Sequence, residues 1–314
     1  MKFNNILVMK KLLIALILLI SVRSYAQQDP LFSQYMFNKL AVNPAYAGST
    51  EMLSFDLLSR YQWVGIKGAP QTYSLSLHSP LRNNHMGLGL YLYGDILGPT
   101  VTYGLSGSYA YRMRLGNGKL CLGLQVGIKY FYFDWNKMNV QDQDYVFGKQ
   151  ETKKFTPDAN FGIYYYSKKF FAGLSSKDLF QNESGMATVD GKVTYTKLLR
   201  HFYGMAGVNI PISDKVSFRP SLLCKYVAHA PFQADVNASF LFSDIFWVGV
   251  SYRTEQAVVF LTEFHIGKKL RIGYSYDMYF NKLMPVNKGS HEIRIGMDFD
   301  VFNSRMLTPR YFHF

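Results

Sequence analysis

Cysteine is scarce in this chain of 314 residues, which contains only Cys121 and Cys224. The two lie far apart on different predicted strands, so a disulfide framework does not stabilise the protein. Two unpaired thiols are the simpler interpretation, and one bridge is the alternative. The ligand spacings CxxC and HxxxH are absent, and no glycine-rich loop joins a strand to a helix. The sequence therefore predicts no metal site and no cofactor.

Long apolar runs are also missing after the N-terminus. The run Leu12–Ile20 is about half of the roughly 20 residues that a membrane-spanning helix requires. Lys10 and Lys11 precede it and a small-residue site ending at Ala26 follows it, so residues 1–26 are predicted to be a secretory signal peptide. A permanent anchor is the alternative. If the remaining chain lies in a bilayer, it must cross as strands.

Acidic residues are fewer than basic ones, with 21 Asp and Glu against 34 Lys and Arg. Four of the basic residues lie in the predicted signal, and the rest of the chain keeps a basic excess. In a cytosolic protein this excess would suggest nucleic acid, but an exported chain meets lipid headgroups and envelope proteins instead. Membrane lipid is therefore a predicted partner, and nucleic acid is not.

A catalytic constellation is the remaining absence. Of the seven histidines, only His265, near Glu263, and His291, beside Glu292, have an adjacent carboxylate. Neither has a nucleophile at a spacing that indicates a triad. The sequence therefore predicts that the protein is not an enzyme. A lipase-like outer-membrane enzyme is a weaker alternative, which absence of phospholipid hydrolysis would exclude.

Aromatic residues and glycine are abundant, with 24 Tyr, 25 Phe and 25 Gly. From residue 51 to 302, apolar side chains alternate with small or polar ones in segments of roughly the 9 to 11 residues that a tilted strand needs to cross a bilayer. A soluble β-sandwich also has this period, but so many strands make one sandwich unsuitable. The predicted fold is all-β, a transmembrane antiparallel up-and-down β-barrel of about fourteen strands. The segments are 52–63, 71–79, 85–94, 100–114, 119–134, 157–167, 169–177, 199–211, 215–227, 232–243, 245–253, 257–267, 269–280 and 290–301.

The connections between these segments have two lengths. Gly116-Asn117-Gly118 and Gly267-Lys268-Lys269 are tight, whereas 135–156 and 178–197 are long and polar. Barrels of this class keep short turns in the periplasm and longer loops outside the cell. The long connections, together with 281–289, are therefore predicted to face the exterior.

Charged residues occupy the polar parity of many strands. A basic side chain facing lipid at the midplane costs roughly 2–4 kcal/mol, so these charges are predicted to line the lumen. Either they form a path for ions or solutes, or they pair into a network that fills a non-conducting barrel. The presence of both signs favours the network. The predicted lumen charges are Arg112, Arg114, Lys129, Arg219, Lys225, Arg253, Glu263, Arg271, Asp277 and Arg294.

Three local motifs stand outside this alternation. The stretch Gln27–Ser49 contains DPLFSQYMFN and NPAYAG, and its prolines, asparagines and glycine interrupt any helical or strand period. RYQWVGIKGAPQT at 60–72 joins the first two strands, and GSHEI at 289–293 opens the last one. In this order the motifs resemble those of the PorP/SprF family of the type IX secretion system in the Bacteroidetes outer membrane.

The motif residues are expected to be structural or to bind partners. Gly65, Gly68 and Pro70 suit a compact turn, and Trp63 suits an interfacial aromatic girdle. The segment 27–50 is predicted to lie on the periplasmic side and to plug the lumen, and docking on a partner is the alternative. The tail 303–314 is either a periplasmic contact or disordered. The motif residues are Asp29, Pro30, Phe32, Gln34, Tyr35, Asn43, Pro44, Tyr46, Gly48, Arg60, Gln62, Trp63, Gly65, Gly68, Pro70, Gly289, Ser290, His291 and Glu292.

The resemblance implies a function that patterning alone does not. It implies an outer-membrane component of the type IX secretion and gliding machinery, which assists export or surface anchoring of a cargo protein with a C-terminal sorting domain, such as an adhesin. Periplasmic and outer-membrane parts of that machinery would be its partners. A passive or substrate-specific porin is the alternative.

Overall fold

The computed structural model describes residues 29–82, 85–134, 137, 152–189, 192–254, 257–267, 269–281 and 284–300. The predicted signal peptide and the tail 303–314 lie outside these residues. None of the described residues form a helix that is long and apolar enough to cross a bilayer.

Antiparallel strands form a single closed wall. The first half of the wall contains β1 (Leu53–Tyr61), β2 (Gln71–Pro80), β3 (Met86–Leu97), β4 (Thr100–Leu115), β5 (Gly118–Phe133), β6 (Thr152–Ser167) and β7 (Phe170–Lys177). After a hairpin of β8 (Glu183–Val189) and β9 (Lys192–Lys197), the wall continues with β10 (His201–Val208), β11 (Ile210–Ser213), β12 (Val216–Phe218) and β13 (Ser221–Val227). It ends with β14 (Gln233–Phe242), β15 (Phe246–Arg253), β16 (Ala257–Ile266), β17 (Leu270–Tyr279) and β18 (Ser290–Phe299).

The barrel closes because β1 pairs with β18, from Leu53 opposite Phe299 to Tyr61 opposite His291. Two crossings of the wall are interrupted strands. One consists of β10 and β11, separated by Asn209, and the other of β12 and β13, separated by Arg219 and Pro220. Proline has no backbone N–H to donate to the ladder, which accounts for the second break. Counted this way, the described residues form fourteen antiparallel crossings, so the predicted barrel is confirmed.

The strand alternation separates a lipid-type exterior from a polar interior. In β15, Val248, Val250 and Tyr252 face outward and are exposed, while Trp247, Ser251 and Arg253 face inward and are buried. The same period of two holds in β14 and β10. The buried interior of the barrel therefore contains many polar and charged side chains, as expected when the apolar parity contacts lipid.

Two connections differ from the sequence prediction. Strand β6 begins at Thr152, five residues earlier than predicted, and pairs with β5 along its whole length. The predicted loop 178–197 contains the hairpin β8–β9, whose two strands pair only with each other. The long connections nevertheless lie at one end of the barrel, which we call the long-loop end. The tight turns after β4 and β16 lie at the opposite, short-turn end.

Candidate functional site in the barrel interior

The N-terminal segment, residues 29–50, lies inside the barrel. Asp29 contacts Lys177, the last residue of β7, and so lies towards the long-loop end. Gly48 packs against Pro80 and Gly87, where β2 ends and β3 begins, at the short-turn end. The segment therefore runs through the interior from the long-loop end to the short-turn end. It has two short 3-10 turns, Lys39–Ala41 and Pro44–Tyr46.

A cluster of charges surrounds Asp29 near the long-loop end. Its carboxylate lies 2.9 Å from the Lys177 amine and 3.6 Å from the Lys129 amine. Lys129 also donates to Asp178, and it lies 3.8 Å from Asp158. Burial raises the pKa of Asp29, but the charges of Lys177 and Lys129 outweigh burial and hold that pKa well below its ordinary value. The start of the segment is thus fixed as an anion.

A second network holds the segment at Ser33 and Gln34. The Arg60 guanidinium lies 2.7 Å from Asp277 and 3.0 Å from Glu292, and all three side chains are fully buried. The backbone N–H groups of Ser33 and Gln34 donate to the two carboxylate oxygens of Glu292 at 2.9 and 2.8 Å. One carboxylate therefore joins the last strand, the first strand and the N-terminal segment.

Arg253 extends this network across the barrel. Its guanidinium lies 2.9 Å from Asp235 and 3.1 Å from Asp277. It also donates to the Ser33 hydroxyl at 3.2 Å. Because Arg253 and Asp277 are inaccessible to solvent, each needs partners of the opposite charge in the interior: Asp235 and Asp277 for Arg253, and Arg60 and Arg253 for Asp277.

A third network lies closer to the short-turn end. Arg294 is paired with both Asp56 and Glu263. Its guanidinium also lies over the Phe37 ring, 5.3 Å from the centroid, which is a cation–π contact with the N-terminal segment. Beside it, Arg271 lies 3.0 Å from Asp298.

The NPAY turn fits a cleft formed by glycines. The Asn43 amide donates to the carbonyls of Ile163 on β6 and Leu174 on β7, at 2.9 and 3.2 Å. A Cβ at Gly162 would lie only 2.0 Å from the Asn43 side chain, and one at Gly123 only 2.2 Å from the Ala45 nitrogen. Glycine is required at both wall positions because the segment touches the wall there.

The other motif residues of the segment are also anchored. Tyr46 packs edge-on against His78 and Tyr164, with centroids 5.2 and 5.4 Å apart. Gly48 has a φ of +71°, and its carbonyl accepts a hydrogen bond from Arg112. The hydroxyl of Tyr35 lies 3.3 Å from that of Ser221. Pro30 and Phe32 are half-buried and line a cavity of about 30 Å³ beside Tyr35.

The motifs at 60–72 and 289–293 join each other outside the strands. The backbone N–H of Trp63 donates to the Ser290 hydroxyl at 3.0 Å. The Val64 N–H donates to the Gly289 carbonyl, and the Lys288 N–H donates to the Val64 carbonyl. Gly65, Gly68 and Gly289 all have positive φ, and the Gln62 N–H donates to the Pro70 carbonyl. The turn after β1 and the loop before β18 therefore form one closed unit at the long-loop end.

Trp63 and Arg114 lie elsewhere than predicted, whereas His291 lies on the outward parity of the last strand, as the alternation predicted. Trp63 is not placed as a girdle residue, because its ring packs edge-on against the buried Tyr279 and its indole nitrogen is inaccessible. Arg114 is exposed at the end of β4 and does not line the enclosed interior. His291 faces outward, where its imidazole lies 2.7 Å from the Tyr274 hydroxyl.

The remaining lumen residues contact aromatic rings. Arg219 lies over Trp247 at 4.9 Å, and Lys225 lies over Tyr203 at 5.7 Å. Phe37 meets Trp247 edge-on at 4.9 Å. Phe37, Arg219 and Trp247 border a cavity of about 430 Å³ at the short-turn end, together with turn residues 243–245, Gly267, Lys269 and Leu270. The interior is therefore filled along most of the path of the N-terminal segment, and a cavity remains at the short-turn end.

Sequence reasoning missed several residues that hold the segment. Lys39 is buried between the rings of Tyr46 and Phe171, at 5.1 and 4.8 Å. Asp178 and His201, fully buried beside Asp29, were assigned to loop and strand without a role. Glycines at 123 and 162, opposite each other in register, were a signal that an object approaches the wall.

Solved structures of other proteins are similar to this chain in fold. The TbuX toluene transporter of Ralstonia pickettii is similar in fold, with a TM-score of 0.50 at 9% identity over 88% of this chain and 98% of that one. A Pseudomonas aeruginosa FadL homologue has a TM-score of 0.47 at 11% identity over 90% and 96% of the two chains. No protein with a curated description matches the sequence.

The family comparison covers most of the chain. Residues 24–297 match the family described as type IX secretion system membrane protein PorP/SprF. This range contains the N-terminal segment, the motif at 60–72, the motif at 289–293 and nearly the whole wall. The chain therefore belongs to the PorP/SprF family of type IX secretion system membrane proteins.

Proposed function

We propose that this protein is a closed outer-membrane barrel that assists export or surface anchoring of a cargo protein carrying a C-terminal sorting domain. Adhesins of the gliding machinery are the cargo class that we favour. Membership of the PorP/SprF family supports a role in type IX secretion. The observation that carries the closed barrel is the N-terminal segment, which is held inside the wall by buried ions.

The N-terminal segment is fixed in the interior by buried ion pairs and hydrogen bonds. Arg60, Asp277 and Glu292 are fully buried and mutually paired, and the backbone of Ser33 and Gln34 completes the hydrogen bonding of Glu292. Removing one partner of such a buried ion pair costs about 3–5 kcal/mol. Moving the segment out would break several of these contacts together. A fixed interior suits a docking or assembly component better than a passive pore.

The two ends of the barrel suit different partners. By the rule for bacterial barrels, the long-loop end faces the exterior and the short-turn end faces the periplasm. Cargo held at the cell surface would then contact the connected loops 62–70 and 284–289 and the hairpin β8–β9. Periplasmic components of the machinery would meet the short turns and the 430 Å³ cavity.

Deletion of the gene tests the cargo role. We expect proteins with a C-terminal sorting domain to disappear from the cell surface and the medium, as measured by quantitative proteomics of both fractions. Expression of the wild-type chain from a plasmid should restore them. Loss of no such protein would contradict the proposed function.

A substrate-specific channel is the second candidate. The observation in its favour is the cavity at the short-turn end, together with a fold similar to that of a toluene transporter. Planar bilayers containing the purified protein separate the two candidates. Steady conductance without partners would favour the channel, and a closed barrel would favour the secretion role.

A further inference from the structure

We propose that a groove on the outer face of β1 to β5 binds one anionic, phosphate-bearing lipid from the leaflet at the long-loop end. The acyl chain of this lipid would fill the groove, and its phosphate would lie beside Lys153, near the start of β6. The apolar face of a barrel contacts bulk lipid all around, whereas this groove would retain a single lipid. The inference is independent of the cargo role proposed above.

The floor of the groove is a row of aliphatic side chains that continues across five strands. In register, Leu57 lies opposite Leu75, Leu75 opposite Leu92, Leu92 opposite Leu105, and Leu105 opposite Ile128. Together they line a groove of about 460 Å³, a volume within the range of about 300–1,000 Å³ that is typical of ligand sites. Leu57, Leu105 and Ile128 are exposed, whereas the two leucines in between are half-buried. The outer face is therefore recessed along this row.

The next row towards the long-loop end consists of tyrosines around a glycine. Gly94 lies opposite Tyr73 on β2 and Tyr103 on β4, and both tyrosines line the groove. A Cβ at Gly94 would lie only 3.1 Å from the Tyr103 ring, so the ring rests against a position that has no side chain. Tyrosine has an apolar ring and a polar tip, which suits the level where acyl chains meet headgroups. The groove therefore changes from aliphatic to aromatic towards the interface.

A basic side chain lies beyond the tyrosine row. Lys153 is exposed on the outward face of β6, opposite Tyr132, and its amine lies 5.9 Å from the centroid of that ring. It is two residues from Phe155, which packs against the groove residue Tyr130 with centroids 4.7 Å apart. At about 3.4 Å per residue, Lys153 lies roughly 7 Å beyond the tyrosine row, towards the long-loop end. This position suits contact with a phosphate above the acyl chain.

The turn after β1 adds a second base at the same end. Lys67 is exposed beside Gly68, whose carbonyl accepts a hydrogen bond of 2.9 Å from the Gly98 N–H in the turn between β3 and β4. Asp134, an acid that follows β5, is paired with Lys137 at 3.9 Å. Lysines near a membrane surface attract anionic lipid. The charge of the described residues above the groove therefore complements an anionic headgroup.

The three levels correspond in order to the parts of one lipid. The aliphatic row faces the acyl chain, the tyrosine rings lie at the interface, and the lysines face the phosphate. By the rule for bacterial barrels the long-loop end faces the exterior, so the lipid belongs to the outer leaflet. A neutral detergent would use only the apolar rows, and the lysines above them favour an anionic lipid.

Native mass spectrometry of the full chain tests the proposal. The protein, purified in a neutral detergent, is titrated with phosphatidylglycerol or phosphatidylcholine, and retained lipid is counted after the detergent is removed. We expect one phosphatidylglycerol per chain, retained at least about threefold better than phosphatidylcholine. Leu75→Trp fills the groove and should lower the retained fraction of both lipids severalfold. Leu88→Trp is the matched control, outward on β3 and outside the groove, and should bind like the wild type.

Lys153→Glu separates the headgroup contact from the acyl contact. It should abolish the preference for phosphatidylglycerol and leave retention of phosphatidylcholine unchanged. Lys168→Glu, at an exposed lysine that follows β6 at the short-turn end, should keep the preference.

Circular dichroism of each variant verifies that the barrel is folded. If Leu75→Trp fails to fold, Ile128→Trp provides the comparison, because its side chain lies on the same row. Retention of detergent alone by the wild type, or of a protein on this face in place of lipid, would overturn the proposal. Equal retention by the folded groove variant and Leu88→Trp would overturn it, as would an unchanged lipid preference in Lys153→Glu.

Discussion

Buried ions with specific partners dominate the interior. Arg60 is the clearest case, since its guanidinium is inaccessible to solvent and bound by Asp277 and Glu292. Charges placed there are stable only while their partners are present, because desolvation of an unpaired ion costs several kcal/mol. The interior is therefore sensitive to single substitutions that a soluble surface would tolerate.

Arg60→Met should lower the free energy of unfolding by about 3–5 kcal/mol, because it leaves two carboxylates buried without their shared cation. Arg114→Met, at an exposed arginine, should change it by less than about 0.5 kcal/mol. Urea unfolding in detergent micelles measures both. Equal effects of the two substitutions would mean that the network contributes nothing specific.

The triple variant Arg60→Met, Asp277→Asn, Glu292→Gln separates ion pairing from packing. Neutral amides cost less to bury than unpaired carboxylates, so the triple variant should recover at least about 1 kcal/mol of the loss caused by Arg60→Met. The same urea titration measures the recovery. A triple variant less stable than the single one would contradict this account of the network.

The N-terminal segment obtains its order from the wall. Its only regular structures are two 3-10 turns of three residues each, which are too short to be stable alone. The wall supplies the carbonyls of Ile163 and Leu174, which accept hydrogen bonds from the Asn43 amide, and it makes close contacts with the segment at Gly123 and Gly162. A substitution that adds a side chain at Gly123 or Gly162 should therefore displace the segment from the wall.

Gly123→Val should displace the segment, because a Cβ there would lie 2.2 Å from the Ala45 backbone nitrogen. Gly107→Val is the matched control on the neighbouring strand, where a Cβ meets no atom within 4 Å. Limited proteolysis followed by mass spectrometry should detect cleavage within 29–50 in Gly123→Val and not in Gly107→Val. A protected segment in a folded Gly123→Val variant would show that the contact is not required.

The complete barrel combines a closed wall with a filled interior. Fourteen strands leave room for a lumen, and residues 29–50 occupy it between the charged inward faces of the strands. The pairing of β1 with β18 leaves the wall without open edges, so the molecule needs no partner strand to be stable in lipid. Within the described part of the chain, residues 29–50 therefore occupy the path through the barrel.

The wild-type protein should show no steady conductance in planar bilayers. A variant lacking residues 29–50 should conduct, because the deletion removes the side chains that fill the interior. Circular dichroism should first establish that the shortened chain is folded. An open wild-type channel, or a folded deletion variant that stays closed, would contradict the view that the segment closes the barrel.

The sequence by itself determined the wall. A period of two needs only local alternation, so strand number, the tight turn after β4 and the inward position of Arg253 or Asp277 could all be predicted from neighbouring residues. Polar or charged side chains on the inward parity had to avoid lipid, which also follows from local pattern. The motifs at 29–48, 60–72 and 289–293 indicated the family for the same reason: each is contiguous.

Only the tertiary structure decided which inward residues meet. Ser33 and Glu292 are 259 positions apart, and Asp29 joins Asp178 and His201 through the path of a segment that has no period. The register of each strand pair and the closure of the barrel fix these contacts, and no local pattern encodes either quantity. Tertiary contacts also place Trp63 against Tyr279, and the predicted external loop 178–197 contains the hairpin β8–β9. The alternation predicted a polar interior, and closure of the barrel brought its charged side chains together into specific pairs.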